Sequence, residues 1–390
     1  MNMKRIQILV LLLLCGLLSF AQSIEDLSFG TDSTFDVLTW NIEWFPKNGQ
    51  STVAYVSEII EALDVDLLAI QEVNDTGAFN EMIDGLSAYE GYLESSYFAG
   101  LAYIYKNSTI QINDIYEIYT SAPYWSPFPR SPMVMDLNFM NERIIVINNH
   151  FKCCGDGIFD IDNSDDEETR RYLASNLLKD YVDTNFPDEN SIVLGDLNDV
   201  LSDDEENNVF QLILDDSENY LFADFEIAIG SDSSWSYPTW PSHLDHILIT
   251  NELFDEFENP GSVIQTIKLE EYIAGGWSEY DASISDHRPV AMKLLMNSDL
   301  NGTDVTPAAP HFSNYPNPIS SETRFSFDIS NAHRRIEIIN IQGQRVHSEK
   351  IPPGARTFLW NAEGLPDGIY FAKLVSENAH NSTLKLLLRK

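Results

Sequence analysis

The sequence predicts a mixed α/β or α+β sandwich followed by a small all-β module. Three observations carry that prediction. Most apolar stretches are short, alternate or run unbroken, and stop at a polar residue, as strands do, whereas only two stretches show helical spacing. A segment rich in Asn, Asp, Gly, Thr, Pro and Ala, Asn297 to Asn314, interrupts the chain as a linker would. Charge divides across that segment: 53 Asp and Glu face 11 Lys and Arg from Ala21 to Leu300, but 8 face 10 from Asn301 onward, within a net charge of −38. The 390 residues suffice for two or three domains with cores of their own.

Taken in order, the chain opens with Lys4-Arg5, an apolar run from Ile8 to Leu18, and Ser19-Phe20-Ala21. These are the parts of a secretory signal at 1–21, with cleavage expected after Ala21. Leu14 precedes Cys15 where a lipoprotein would carry a small residue, so an anchor is the lesser reading. No later run reaches the length of a membrane span, and a soluble mature protein without stable membrane insertion is expected. Strands are predicted at Phe35 to Asn41, Asp66 to Glu72, Leu101 to Tyr105, Met133 to Leu137, Arg143 to Asn149, Leu244 to Thr250 and Pro289 to Leu295. One helix should begin with Ser51 as cap and show Val53, Val56, Ile59, Ile60 and Leu63 on one face. A second, from Glu168 to Tyr181, should show Ala174, Leu177, Leu178 and Tyr181. Beyond the linker, alternating runs at Thr323 to Ile329, Arg335 to Ile341, Thr357 to Trp360, Gly368 to Val375 and Leu384 to Leu388 read as a small sandwich.

The strand from Ser191 ends in Gly195-Asp196-Leu197-Asn198, where alternation would turn Asp196 and Asn198 to the same side. A carboxylate beside an amide suits a site that polarises and orients water; the same residues also make ordinary turns. Other strand ends carry Asn41, Glu72, His150 after Asn149, Asp245 before His246, and Asp286-His287. Each alone reads as a solvated end or a surface turn. Six in one order, with the means to gather at one rim, read as a site.

The motifs TWNIEWF, AIQEV, NNHFK, GDLND, LDHI and SDHRPV, spanning Thr39 to Val290, resemble the endonuclease/exonuclease/phosphatase superfamily, the deoxyribonuclease I fold. The resemblance implies a four-layer sandwich, two packed mixed sheets flanked by helices, and metal-dependent hydrolysis of phosphate esters. It implies that Glu72 is the main metal ligand with Asn41 and Asp286 as helpers. Asp196 and Asn198 would handle the attacking water, Asp245 would orient His287, and His150 would be the second histidine. Arg130 resembles a substrate-gripping arginine, and Lys152, Arg170 and Arg171 would complete a phosphate rim. Magnesium is the implied ion, with manganese as the alternative, because phosphodiester attack concentrates charge that a hard cation and an imidazolium relieve.

Within the superfamily, NNHFK, a long loop and Arg170-Arg171 look most like extracellular bacterial nucleases, with nucleic acid as substrate. Sphingomyelinases and inositol-phosphate phosphatases are the runners-up, and an inactive cell-surface binding protein is the rival of another class. Trp235, Trp240 and Trp277 would serve a lipid enzyme if exposed, with core packing as the expected role. A basic nucleic-acid clamp is excluded by the acidic charge. The acidic loop Asp156 to Glu168 departs from the spacing of an EF-hand, so a solvated loop is expected, with structural calcium as the alternative. Cys153 and Cys154 are adjacent; a strained vicinal disulfide and a free pair stand equal, and zinc lacks partners. Asn314-Tyr315-Pro316-Asn317-Pro318, Asp367-Gly368-Ile369-Tyr370 and the Lys385–Lys390 end are similar to the sorting domain of the type IX secretion system. That implies export through the periplasm to the surface or medium by the type IX machinery. The expected domains are a catalytic domain at 22–297, a linker at 298–312 and the sorting domain at 313–390.

Overall fold

The structure is a computed structural model. It describes residues 22–95, 97–296, 312–315, 317, 319, 321–327, 334–340, 344–352, 354–355, 357–362, 364–366, 368–376 and 382–389. The expected leader, Cys15 included, and all of the expected linker but residue 312 lie outside the described residues. Contacts divide the chain into two units, the first ending at Ser298.

The first unit holds two mixed sheets of six strands. One sheet has the order β11-β12-β1-β2-β4-β3, with β1 (Phe35–Phe45), β2 (Leu67–Val73), β3 (Tyr89–Leu93), β4 (Gly100–Lys106), β11 (Val263–Thr266) and β12 (Val290–Leu294). The other has the order β5-β6-β7-β8-β10-β9, with β5 (Ile110–Glu117), β6 (Met133–Phe139), β7 (Glu142–His150), β8 (Asn190–Asp196), β9 (Tyr220–Phe222) and β10 (Asp245–Thr250). Each sheet has one parallel pair at its centre, β1 with β2 and β7 with β8, among antiparallel neighbours.

Alternation on the central strands builds four layers. Phe35 and Val37 of β1 face Met135, Ile144, Val146, Ile192 and Leu194 across the gap between sheets. Leu38, Trp40 and Ile42 turn the other way, under helix α1 (Gln50–Leu63). Buried on both faces, these strands lack polar alternation, and each such side chain contributes about 1.5–3 kcal/mol. Helix α1 buries the predicted Val53, Val56, Ile59, Ile60 and Leu63. Its cap is Gly49, at φ +57°, and Ser51 falls inside the helix; Asn48 N–H instead donates to Thr52 Oγ1 at 2.7 Å. Helix α2 (Thr76–Gly85) covers the same sheet. The longest helix among the described residues, α3 (Glu167–Asn185), starts on Asp166, whose carboxylate accepts Thr169 N–H at 2.8 Å. Its Ala174, Leu178 and Val182 pack on Ile145, Ile147 and Val193, while Leu177 and Tyr181 are half-buried.

The second unit, among described residues, has a three-stranded sheet, β13 (Phe312–Tyr315), β14 (Glu322–Phe327) and β17 (Thr357–Asn361), in the order β13-β14-β17. A four-stranded sheet joins β15 (Arg334–Asn340), β16 (Arg345–Ile351), β18 (Gly368–Ser376) and β19 (Ser382–Leu388) in the order β16-β15-β18-β19. Phe325, Ile336, Ile338, Trp360 and Leu386 form its core.

Candidate active site

Both parallel pairs end at one rim. In β7 and β8 the register sets His150 beside Asp196, and in β1 and β2 it sets Asn41 beside Gln71, next to Glu72. The close approach of β7 and β8 needs Gly195: at φ +147°, a Cβ there would lie 2.0 Å from Asn149 O. Asn41 Nδ2 joins the sheets, donating to Glu72 Oε1 at 3.1 Å and Asp196 Oδ2 at 2.9 Å. His150 Nε2 lies 3.5 Å from Asp196 Oδ2 and 3.8 Å from Glu72 Oε1. Antiparallel β10 puts Asp245 opposite Asp196, and Asp245 Oδ2 accepts His287 Nδ1 at 2.7 Å. His287 Nε2 then lies 3.8 Å from Asp196 Oδ2 and 3.9 Å from Asp286 Oδ1.

Asn198 reaches this rim differently from the alternation expected. Strand β8 stops at Asp196, and Asn198 stands in a turn at φ +54°, with its N–H on Asp196 Oδ1 at 3.1 Å and Nδ2 on Phe151 O at 3.3 Å. Glu72 is also left-handed, at φ +66°, and Trp44 N–H donates to its Oε2 at 3.1 Å. Such backbone costs about 1–3 kcal/mol per residue and concentrates at functional sites.

Electrostatics separate the two histidines. Burial pulls the His287 imidazole down, but the Asp245, Asp196 and Asp286 carboxylates outweigh it and raise the group to about 10, so it is charged at neutral pH. Burial, then the Arg130 and His287 charges, hold His150 well below its ordinary value. A neutral His150 has one N–H; Nε2 faces carboxylates and carries it, leaving Nδ1 buried without a partner. Asp196 is raised by burial and by the Asp245 and Glu72 charges, against His287 and Asn41. Arg130 stands within reach of the same charges: burial lowers it, Glu72 and Asp196 oppose, and its Nε donates to Phe98 O at 2.8 Å.

Some predicted residues do other work. Arg171 is buried, with Nε on Asp199 Oδ2 at 2.8 Å, NH1 on Lys152 O and Cys154 O at 2.9 and 2.6 Å, and NH2 3.1 Å from Glu168. Its donors are committed inside the protein, which corrects the expectation of a phosphate contact. Asn41 accepts Glu43 N–H on its Oδ1 at 3.0 Å, which leaves that oxygen a second lone pair, while its amine bridges the Glu72 and Asp196 carboxylates. Lys152 donates to Cys153 O at 2.8 Å near Glu167, and half-buried Arg170 donates from Nε to Ser126 O at 2.7 Å. Cys153 and Cys154 are free thiols. Trp235 and Trp277 are half-buried, Trp277 beneath the Arg288 guanidinium at 5.5 Å; only Trp240 of the three is exposed, at 77%.

Sequence reasoning passed over Ser285, whose hydroxyl donates to Asn41 O at 2.6 Å and accepts His287 N–H at 2.9 Å. It also passed over Glu43, which accepts Asp286 N–H at 2.8 Å and pairs with Lys47, and Tyr237, whose ring lies 4.8 Å from that of His287. Ser285 and Glu43 stand inside the quoted motifs SDHRPV and TWNIEWF, the one signal that marks them. Asp196, Asp286, Glu72 and Asp245 gather more negative charge than His287 and Arg130 balance. Their hard oxygens fit a divalent cation.

Two mixed sheets of six strands flanked by helices are the architecture of the endonuclease/exonuclease/phosphatase fold. The endonuclease/exonuclease/phosphatase family profile matches residues 38–287, and the chain belongs to that family. Its members are typically divalent-metal-dependent hydrolases of phosphoester bonds. A secretion-system C-terminal sorting domain matches residues 313–389, which indicates secretion or cell-surface export. No curated protein matches the sequence. Among solved structures, D. rerio TDP2 with single-strand DNA product shares the fold at TM-score 0.51, 13% identity, covering 67% of this chain and 99% of that one. An endonuclease/exonuclease/phosphatase from Bacteroides vulgatus is similar at 0.47 and 15% identity, covering 67% and 99%. The human Nocturnin catalytic domain with bound sulfate is similar at 0.48 and 15% identity, covering 68% and 95%.

Proposed function

We propose that the mature chain is a secreted, magnesium-dependent phosphodiesterase, an endonuclease acting on extracellular DNA or RNA, with residues 22–297 as its catalytic domain and 313–390 as its type IX sorting domain. One observation carries this reading. A charged imidazole, a neutral imidazole and a buried carboxylate of raised pKa converge within 3.5–3.8 Å at one rim.

The residues divide the work. Asp196 takes the proton of the attacking water, since its raised pKa brings it toward the working pH, while Asn198 orients that water. His287 is already protonated and so acts by charge, its Nε2–H facing the developing phosphorane oxygens, with Asp245 fixing its orientation through Nδ1. His150 donates from Nε2. Glu72 and Asp286 would hold the magnesium ion, which supplies charge relief to nonbridging and leaving oxygens. Asn41 sets the spacing between Glu72 and Asp196. Arg130, Arg170 and Lys152 remain as the phosphate rim.

The test is a substrate panel on the purified protein: plasmid DNA, RNA, sphingomyelin and inositol phosphates, in chelator and in magnesium. Nucleic acid should be cut fastest, only with metal. Faster turnover of sphingomyelin would favour a lipid enzyme using the exposed Trp240, and inertness toward the whole panel would favour a binding protein.

A further inference from the structure

We propose that the acidic loop leading into α3 is a second metal site, one that binds calcium on Asp156, Asp166 and Glu168. One carboxylate oxygen from each of the three lies within 4.8 Å of the others. The stretch Asp156 to Glu168 holds seven Asp and Glu and no Lys or Arg. Acid density alone would suit a solvated loop, as the sequence suggested. Glu168 decides otherwise. It is 2% exposed, its Oε1 accepts Gly157 N–H at 2.8 Å, and its Oε2 is buried with no partner. Buried carboxylate oxygens are matched by donors or by cations, so an unmatched one inside an acidic cluster marks a cation position.

The loop is shaped around that carboxylate. Gly155 stands at φ +113°, and a Cβ there would lie 2.2 Å from Glu168 Oε1 and 2.6 Å from Oε2. Each ligand spends one oxygen on the loop's own backbone: Asp156 Oδ1 accepts Ile158 N–H at 3.1 Å, and Asp166 Oδ2 accepts Thr169 N–H at 2.8 Å. The donor set is all oxygen in an irregular loop. Calcium tolerates that with about 6–8 ligands, whereas magnesium demands a near-octahedral shell and gives up water reluctantly. Arg171 lies on Glu168 but is shared with Asp199 and two carbonyls, so one cation faces three carboxylates. Through Arg171 the loop is tied to Lys152, Cys154 and Asp199, the segments that follow His150 and Asn198. The bound ion thus orders both flanks of the rim.

The experiment is thermal unfolding of the full chain in chelator, then in calcium or magnesium chloride. It compares wild type, an Asp156→Asn/Asp166→Asn double variant, in which Asn keeps the helix cap, and Glu72→Gln. Calcium should raise the midpoint by several degrees in wild type and Glu72→Gln alike, with half-maximal effect at tenfold or more lower concentration than magnesium. In the double variant the half-maximal calcium concentration should rise at least tenfold. If the double variant does not fold, exposed Asp156→Asn alone is read the same way. No shift in wild type, or a shift retained in the loop variants, overturns the proposal. A shift lost in Glu72→Gln but kept in the loop variants assigns calcium to the strand-end rim and overturns it too. Because the readout is stability, failure of the nuclease reading leaves this result standing.

Discussion

Asp245 and His246 are neighbours on β10, and alternation sends them to opposite faces, into two clusters built from the same residue types. Asp245 enters the rim with His287. His246 enters a closed cluster with Asp224 and His243, where Asp224 Oδ2 accepts His246 Nδ1 at 2.6 Å and His243 Nε2 at 3.0 Å, and Oδ1 accepts Ile247 N–H at 2.8 Å. His246 Nε2 donates to Asp199 O at 2.9 Å, so both its nitrogens carry protons and it is an imidazolium. His243 accepts Ser236 N–H at Nδ1, at 3.2 Å, and donates from Nε2 to Asp224. Every polar side-chain atom there is matched, whereas the rim leaves His150 Nδ1 and Asp245 Oδ1 buried without partners. Both clusters bring three metal-type groups within 4.8 Å of one another. Proximity therefore does not distinguish them; unspent hydrogen-bonding capacity does. The matched cluster stabilises, and the unmatched one has capacity left for substrate, water and ion.

The largest expected effect breaks the open cluster. His287→Ala should cost roughly 10²–10³-fold in kcat, the range for removing one preorganised donor from a developing oxyanion, while the unfolding midpoint moves little. A loss under tenfold in steady-state assays would shift the main role to His150. The closed cluster should answer in the opposite currency. Asp224→Asn strands the His246 charge in the interior and should destabilise by about 3–5 kcal/mol in urea unfolding, with activity per folded molecule little changed. Its pH dependence has a definite sign. Burial raises Asp224, but His246 and His243 outweigh it and hold the carboxyl below the usual range, so its stabilisation is lost as pH falls beneath about 4. Burial lowers His246, but Asp224 outweighs it and raises the group, so that contribution is complete below about 6.5 and lost at higher pH. A flat urea midpoint between those limits and a fall on both sides is expected; a variant that matches wild type throughout would mean the cluster contributes nothing.

How far each cluster was legible follows from the same contrast. Rim residues stand where apolar strands stop, and that pattern survives in one dimension, so Glu72, His150, Asp196, Asp245 and His287 could be picked out. The closed cluster joins Asp224, which caps a short helix far from any motif, to His243 and His246 through tertiary contact alone, and nothing in the spacing shows it. The central strands were legible because both faces are buried. Strands β3, β5, β9 and β11 were missed because they are sheet edges: β3, β5 and β11 carry exposed positions and mixed patterns, and β9 is only three residues long. Arg171 failed as a phosphate contact because a sequence shows a charge but not what already holds it.

A smaller effect sharpens the comparison within the rim itself. His287 is raised to about 10, so activity that needs its charged form should persist through neutral pH and fall as pH passes that value. Asp245→Asn removes the strongest raising charge, and the alkaline limb of kcat should move down by more than one pH unit. An unmoved limb in the pH profile would show that another group sets it.

The smallest difference concerns salt. The closed cluster has no contact with solvent, and its stabilisation should be nearly independent of ionic strength. The open cluster sits in the field of a region with 53 acids and 11 bases, and the nucleic-acid substrate we propose would carry a phosphate charge at every nucleotide. At 0.01 M ionic strength the screening length is about 30 Å, so repulsion reaches across the domain; at 0.15 M it is about 8 Å, and the nearby Arg130, Lys152 and Arg170 dominate. Proteins that hold DNA through many cations lose affinity steeply over that interval because counterions are released. Here kcat/KM on DNA, at fixed saturating magnesium, should stay flat or rise between the two salts. A clear fall would mean that the few local cations outweigh the acidic field, and that the rim binds DNA as a basic nuclease does.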